Sequence, residues 1–215
     1  MINTNPKLSI CVPTFNRLHC LESCLESIYN SKKNSNINFE VCISDNNPAS
    51  NAKELIQKYE KKITINYKCN LSNLGLGRNI VESVSMAHGE FVWILGNDDM
   101  LLPHTLNQLE SLLDNNVIDY YYINSINLKS SSVNLFDGPV NTNNLPKKLE
   151  NFSKLNKSFK GNFFDLVNPN VSFDFMLGMF LSIFKRRKWE ENKHILDLSK
   201  LNDTNLYSLD RKSVV

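Results

Sequence analysis

The sequence predicts an α/β fold in which helices flank a mostly parallel central sheet. Over the first 125 of the 215 residues, short apolar runs alternate with amphipathic stretches of about 10–15 residues, as strands and helices do in βαβ units. Polar residues gather just after the apolar runs, where ligands bind in open parallel sheets. With 41% hydrophobic residues, the chain can also bury a continuous core. Together these observations indicate a Rossmann-like sandwich with right-handed crossovers.

Five apolar runs in this part are typical of strands. The first run stops at Pro13, which cannot donate a backbone hydrogen bond. The second ends in a cluster of turn-forming residues (44–48), and the third alternates between apolar and polar residues, so we expect it to be less buried. The predicted strands cover residues 8–12, 39–43, 63–67, 91–95 and 118–123.

Four amphipathic stretches separate or follow these strands. In each of them, apolar residues recur three or four positions apart, which places them on one face of a helix. We expect Gly89 to cap the third helix at its C-terminal end, and we expect the fourth helix to begin near Pro103. The predicted helices cover residues 18–28, 52–59, 76–87 and 103–113.

The rest of the chain has a less regular pattern. We divide the protein into an α/β half, residues 1–125, and a second half, residues 126–215. Residues 127–160 are rich in Asn, Ser and Lys, and we predict a polar loop there with at most a short helix near residues 145–152. The apolar run at residues 173–184 fits a buried strand or a helix, because periodicity alone does not separate the two.

Composition argues against several classes of protein. The formal net charge of +2 does not favour bulk electrostatic binding of nucleic acid. None of the five cysteines has CxxC spacing, so we expect no structural zinc site, and their scatter suits a reducing compartment. The polar residues 1–6 do not resemble a signal peptide, and no apolar stretch approaches the roughly 20 residues that span a bilayer. We therefore expect a cytoplasmic protein.

Four polar clusters lie at the predicted strand ends. Because the C-terminal ends of parallel strands share one edge of a sheet, we expect the clusters to meet at one rim. In the last cluster a buried run ends in Gly96, Asn97, Asp98 and Asp99, and two adjacent carboxylates there indicate a cation or a polar ligand. The alternative is an ordinary loop in which one Asp caps the next helix. The clusters are residues 13–17, 44–47, 75–79 and 97–99.

The motifs in these clusters occur in a distinctive order. They read SICVPTFNR at residues 9–17, ISDN at 43–46, NLG at 73–75, RN at 78–79 and GEFVWILGNDDMLLP at 89–103. In this order and spacing they resemble the motifs of family 2 glycosyltransferases of the GT-A fold, in particular those of bacterial surface-polysaccharide synthesis. The resemblance covers about the first 115 residues. It implies a GT-A type fold and an inverting transfer of a sugar from a nucleoside-diphosphate sugar.

The resemblance also implies which residues form the site. Asp98 matches the carboxylate that binds Mn²⁺ or Mg²⁺, while Asp99 is a second candidate ligand, a supporting residue or, in our preferred interpretation, the cap of the next helix. The first half would bind the nucleotide-sugar and the second half, complete or truncated, would bind the acceptor. The residues that match the donor-nucleotide site are Pro13, Thr14, Asn16, Arg17, Asp45, Asn46, Gly75, Arg78 and Asn97.

Two positions depart from the family pattern. Where many relatives have an Asp that accepts a hydrogen bond from uracil, this chain has Asn46, an amide that both donates and accepts. The donor nucleotide could therefore be UDP, dTDP or CDP. We expect Asn46→Asp to narrow the range of donor nucleotides towards those that carry uracil. Where the subgroup often carries an acidic residue, this chain has Asn97, so the metal site has one carboxylate fewer.

An inverting transfer also needs a carboxylate that deprotonates the acceptor hydroxyl. No acidic pair stands out in the second half, and Asp203 or Asp210 is our candidate for this base. The expected acceptor is a saccharide or a lipid-linked saccharide in the synthesis of lipopolysaccharide or capsule. The basic residues 185–188 beside Trp189 fit either peripheral contact with the inner membrane or an ordinary solvated turn.

Two other functions are compatible with the same predicted sheet. A catalytically silent or truncated nucleotide-sugar-binding module would keep the donor rim and lack a base. A nucleotidyltransferase would need a Gly-rich, basic phosphate loop after the first strand, which residues 13–17 do not provide. A dinucleotide fingerprint is excluded as well, because Gly75 and Gly77 are followed by Ile80 where the third glycine is required.

Overall fold

A six-stranded sheet forms the centre of the protein. The computed structural model describes residues 5–114, 117–128, 137–146, 149–152, 157–158, 160–162 and 178–198. Its strands are β1 (Leu8–Thr14), β2 (Phe39–Asp45), β3 (Ile65–Cys69), β4 (Phe91–Ile94), β5 (Tyr120–Tyr122), β6 (Ile126–Asn127), β7 (Glu150–Asn151) and β8 (Ser182–Lys185). The strand order in the central sheet is β3-β2-β1-β4-β8-β5. β1 to β4 are parallel, and β8 is antiparallel to its neighbours β4 and β5.

Helices cover both faces of this sheet, which confirms the predicted α/β sandwich. They are α1 (Leu18–Lys32), α2 (Lys53–Glu60), α3 (Leu76–Ser85), α4 (Thr105–Leu113) and a short α5 (Arg186–Asn192). The larger core lies between the sheet and α1, α2 and α4, and the smaller one lies under α3 and α5, where Trp189 stacks on Phe184. Every residue of β1 and β2 is buried, since both strands have neighbours on each side and helices on each face. β3, at the sheet edge, is only partly buried, as its alternating pattern predicted.

Two expectations about local structure were wrong. β1 does not stop at Pro13 but continues to Thr14, because its pairing with β4 ends at Cys11 and no ladder partner on that side needs the missing N–H. α3 ends at Ser85, and Gly89 is not its cap. Gly89 instead packs against β1, where a Cβ atom would lie 2.7 Å from the backbone nitrogen and from Oγ of Ser9. A glycine is needed there for this close approach.

The second half contributes a strand to the central sheet. In the ambiguous apolar run, Met179–Leu181 form a 3₁₀ turn, and β8, which follows it, lies between β4 and β5. β6 and β7 pair as a separate antiparallel ribbon. For residues 145–152 the sequence allowed at most a short helix, and the described residues of that stretch include β7 and no helix. The division between residues 125 and 126 stays a prediction. Among the described residues, no helix has the length and apolar character needed to cross a membrane.

One buried carboxylate joins β2 to the turn before β4. The side chain of Glu40 is 4% exposed and accepts hydrogen bonds from Ser9 Oγ (2.6 Å) and the backbone N–H of His88 (2.6 Å). Asn66 donates to its other oxygen at 2.5 Å. Burial alone would raise the pKa of Glu40, but the hydrogen bonds from Ser9 and His88 outweigh it, and this pKa lies below its ordinary value.

Replacing Glu40 with Gln should therefore lower stability most at neutral pH. Because the folded-state pKa is depressed, the carboxylate stabilises the protein above the unfolded-state value of 4.5, and this contribution is lost as the pH falls through the folded-state pKa. We expect Glu40→Gln to lower the free energy of unfolding by about 2 kcal/mol at pH 7 and by clearly less in acid. Urea titrations at several pH values measure this difference. The exposed Glu60→Gln is the control, and a pH-independent deficit in Glu40→Gln would contradict the linkage.

Candidate functional site

The C-terminal ends of β1, β2 and β4 are tied together at Thr14. The carbonyl oxygen of Thr14 accepts hydrogen bonds from the backbone N–H of Asn46 (2.9 Å) and from Nδ2 of Asn79 (3.2 Å). Its hydroxyl accepts from Nδ2 of Asn97 at 2.8 Å. These three asparagines come from three different clusters. The structure thus brings the four polar clusters predicted from the sequence to one rim of the sheet.

Asn46 is held entirely within the protein. It is 3% exposed, and its Nδ2 donates to Oδ1 of Asn73 (2.8 Å) and to the carbonyl of Gly75 (3.2 Å). Its Oδ1 accepts from the backbone N–H of Leu74 (3.0 Å) and from Nδ2 of Asn70 (3.2 Å). The backbone partners leave one orientation for the amide. This geometry gives Asn46 a structural role, and the base-reading role that the sequence suggested stays a prediction.

Asn46 belongs to an asparagine network, three of whose four members are buried, that positions the loop before α3. We define this network as Asn46, Asn70, Asn73 and Asn79. Nδ2 of Asn70 lies 3.1 Å from Oδ1 of Asn79, and Ser44 Oγ donates to the same Oδ1 at 2.7 Å. The sequence did not predict the hydrogen bonds of Asn70 or the burial of Asn79, because polar residues in loops and on helices are usually exposed. The adjacent Gly75 has φ 77°, a conformation that favours glycine and starts α3.

An open cavity of about 400 Å³ lies between the ends of β1 and β2. Asp45 is its buried acidic residue: Oδ1 accepts from the backbone N–H of Asn47 (3.0 Å) and Oδ2 from the hydroxyl of Tyr67 (3.1 Å). Burial raises the pKa of Tyr67, so its hydroxyl stays protonated and donates. Each carboxylate oxygen can accept a further hydrogen bond from a ligand. The cavity is lined by Thr14, Asn16, Leu18, His19, Asp45, Asn47, Ser50 and Asn51.

Asp98 and Asp99 differ sharply in their surroundings. Asp98 is half-exposed, and its Oδ2 lies 3.0 Å from Nη1 of Arg17. Asp99 turns back on the strand end, where its Oδ2 accepts the backbone N–H of Gly96 at 3.0 Å. Burial and the neighbouring Asp98 carboxylate raise the pKa of Asp99 to about 7. A Cβ atom on Gly96 would lie 2.6 Å from Asp99 Oδ2 and 2.9 Å from Asp98 Oδ1, so glycine is what allows both carboxylates to pack there.

Asp99 does not cap the following helix, which corrects our preferred interpretation of that residue. α4 begins at Thr105, and its N-cap position is His104, which makes no side-chain capping bond. Asp99 instead closes the turn after β4, since its N–H also donates to the carbonyl of Gly96 (3.1 Å). The two adjacent carboxylates therefore differ in role: Asp98 is accessible, whereas Asp99 stabilises the turn at the end of β4.

The chemistry of these donors suits a hard divalent cation that is shared with a ligand. Carboxylate oxygens are the ligands that Mg²⁺ and Mn²⁺ prefer. Among the described residues, no group of three His, Cys, Asp or Glu side chains could hold a metal ion. A single accessible carboxylate such as Asp98 leaves coordination positions that other oxygens, such as those of a diphosphate, could fill.

The other predicted residues lie around this rim or outside the described part of the chain. Asn16 has φ 56° in the exposed loop before α1, and Arg78 lies exposed on the first turn of α3, where its Nε donates to the carbonyl of Leu198 at 3.0 Å. Asp203 and Asp210, the candidate bases, lie outside the described residues.

The basic segment 185–188 lies away from the rim. Lys185 pairs with Phe91 at the start of β4, and the start of this strand is the end that points away from the rim. Its Nζ lies 3.1 Å from Asp119, and Arg187 pairs with Glu191 at 2.7 Å. Much of this positive charge is thus compensated within the protein, as in an ordinary solvated turn.

Comparisons with known proteins agree with this architecture. The family model described as glycosyl transferase family 2 matches residues 9–184. The chain is 41% identical over 109 residues to the abequosyltransferase RfbV of Salmonella typhimurium, which covers 50% of this chain and 32% of that protein. It is 35% identical over 111 residues to the GalNAc(5)-diNAcBac-PP-undecaprenol beta-1,3-glucosyltransferase of Campylobacter jejuni, which covers 48% of this chain and 33% of that one. The chain therefore spans about a third of the length of these relatives.

Solved structures show the same fold. The crystal structure of TarS residues 1–349 from S. aureus superposes with a TM-score of 0.58 at 18% identity, over 87% of this chain and 49% of that one. The same protein in complex with UDP gives a TM-score of 0.58 at 20% identity, with the same coverage. At this level of identity the likeness supports the shared GT-A type architecture of the central sheet and its flanking helices.

Proposed function

Since the chain belongs to glycosyl transferase family 2, we propose that it transfers a sugar from a nucleoside-diphosphate sugar to an acceptor during bacterial surface-glycan synthesis. The observation that carries the proposal is the rim around Thr14, which combines a polar cavity with Arg17 and an accessible Asp98. A nucleotide bound there would have its base in the cavity and its diphosphate beside Arg17 and Asp98. The relatives named above, an abequosyltransferase and a glucosyltransferase acting on an undecaprenol-linked saccharide, support this class of reaction.

In this proposal Asp45, and not Asn46, contacts the base. Asp45 lines the cavity and has spare acceptor capacity, whereas the amide of Asn46 is fully used by its bonds to other asparagines and to the backbone of the loop before α3. A carboxylate only accepts hydrogen bonds, and the ring N–H of uracil or thymine is a matching donor, whereas the corresponding ring nitrogen of cytosine is an acceptor. We therefore rank UDP and dTDP above CDP as the donor nucleotide.

The diphosphate would lie between Asp98 and the two arginines. Mn²⁺ or Mg²⁺ bound at Asp98, when present, would neutralise charge that develops on the leaving nucleoside diphosphate. Arg17 and Arg78 would bind phosphate oxygens through their planar guanidinium groups, once Arg78 releases the carbonyl of Leu198. Asn97 would position the rim, because its amide donates to the hydroxyl of Thr14 and so holds the end of β4 against β1.

The acceptor side of the proposal rests on the sequence. Asp203 or Asp210 would deprotonate the acceptor hydroxyl, which we take to belong to a saccharide or a lipid-linked saccharide. We also propose that the protein works in the cytoplasm and meets lipid-linked acceptors at the inner face of the membrane.

A panel of donors tests the proposed function. We expect one nucleotide-sugar, with UDP or dTDP as its nucleotide, to be hydrolysed slowly by the protein in the presence of Mn²⁺ and to be consumed faster when a suitable lipid-linked saccharide is added. Release of the nucleoside diphosphate measures both reactions. Binding of a nucleotide-sugar with no turnover under any combination would favour the silent binding module instead. No binding of any nucleotide-sugar would contradict the proposal.

A further inference from the structure

The ion pair between Arg17 and Asp98 joins two of the residues proposed for the donor site. Arg17 is the residue just before α1, and Asp98 follows β4, 81 residues further along the chain. We propose that Arg17 holds Asp98 while the site is empty and moves to the diphosphate when a divalent cation takes its place. This inference rests on the proposed metal role of Asp98 and assigns Arg17 two successive partners.

The pair is well placed to exchange partners. Nη1 of Arg17 lies 3.0 Å from Oδ2 of Asp98, and the two side chains are 54% and 53% exposed. An ion pair this exposed contributes little to stability, so a competing ion displaces it at small cost. A guanidinium carries five N–H donors, and the bond to Asp98 uses one of them. The others can engage phosphate oxygens as the contact with Asp98 breaks.

Electrostatics gives the exchange its direction. Without a cation, the carboxylates of Asp98 and Asp99 lie against the same glycine, and the positive charge of Arg17 offsets their repulsion. A divalent cation at Asp98 repels Arg17, because both are positive. The diphosphate that arrives with this cation is the nearest new anion. Arg17 therefore weakens metal binding in the empty site and strengthens nucleotide binding in the loaded one.

Arg17→Met separates these two effects, because they have opposite signs. Without nucleotide, we expect Arg17→Met to bind Mn²⁺ about two- to fivefold more tightly than the unmodified protein, as measured from the EPR signal of free Mn²⁺. With saturating Mn²⁺, we expect it to bind UDP about tenfold more weakly, as measured by calorimetry. dTDP and CDP are run in parallel. A purely structural defect would weaken both.

A matched control is available in α5, which begins near the start of β4 and away from the rim. Arg187 and Glu191 form an ion pair at 2.7 Å with side-chain exposures of 65% and 45%, and Arg187→Met removes the same charge. We expect this variant to leave both affinities unchanged. An increase in Mn²⁺ affinity as large as that of Arg17→Met would attribute the effect to net charge and overturn the inference.

Asp98→Asn distinguishes failure of this inference from failure of the metal assignment. If Asp98→Asn binds Mn²⁺ and UDP as the unmodified protein does, Asp98 is not the metal ligand and both ideas fall. If Asp98→Asn abolishes Mn²⁺-dependent UDP binding while Arg17→Met leaves Mn²⁺ affinity unchanged or lower, the metal assignment stands and the exchange by Arg17 is overturned.

Discussion

Asp98→Asn should lower the rate of sugar transfer by at least about 100-fold, because it removes the accessible carboxylate proposed to hold the metal against the diphosphate. The half-exposed side chain forms an exposed ion pair with Arg17, and such pairs contribute little to stability, so the fold should survive the substitution. Asp99→Asn should keep part of the activity, since an amide oxygen can still accept the N–H of Gly96 and close the turn. Initial rates with a fixed donor and varied Mn²⁺ measure both effects.

The control for this prediction is an exposed carboxylate away from the rim. Asp114 follows α4, and its side chain is 76% exposed, so Asp114→Asn should transfer sugar at the normal rate. Equal losses in Asp98→Asn and Asp99→Asn would show that the two carboxylates act as a pair. That result would contradict the separation of their roles.

Asn46→Asp should destabilise the protein by about 3 kcal/mol at neutral pH. The amide and the carboxylate have the same shape, but a carboxylate cannot donate to Asn73 Oδ1 or to the carbonyl of Gly75. The new charge would also be buried, because Asn46 is 3% exposed. Burial would raise the folded-state pKa of the new carboxyl group above its unfolded-state value, so the deficit should shrink as the pH falls. Urea unfolding between pH 4 and pH 8 would measure this change.

Asn47→Asp is the matched control for the asparagine network. The Oδ1 of Asn47 accepts from the backbone N–H of Ala49 at 3.0 Å, and an aspartate keeps this bond. We expect a change in the free energy of unfolding below about 0.5 kcal/mol. If Asn46→Asp is as stable as the unmodified protein and shifts nucleotide preference towards UDP, then Asn46 reads the base and our structural interpretation is wrong.

The local pattern of the sequence predicted much of the α/β half. Strands β1 to β5 and helices α1 to α4 appear where the periodicity placed them, with ends that shift by a few residues. Their spacing along the chain also predicted a single rim for the four polar clusters. These features depend on residues close in the sequence and on the general geometry of parallel strands. The sequence alone is therefore sufficient to predict them.

Contacts over long sequence distances were not predictable in this way. β8 enters the central sheet between β4 and β5 although it lies about 60 residues beyond β5, and its apolar run had no period that separates strand from helix. The partners of Asn46 in the loop before α3 are up to 29 residues away, and the partner of Glu40 at His88 is 48 residues away. No local rule links such positions.

The sequence by itself thus determined the family-like motifs, the parallel sheet and the rim at which Asp98 and Asp99 meet the other clusters. Only the tertiary structure decided what each side chain does there. Asp98 faces solvent and Arg17, Asp99 closes its own turn, and Asn46 is buried. The physical reason is that residue type and spacing specify which groups reach the rim, whereas burial and hydrogen-bond partners depend on how distant segments pack.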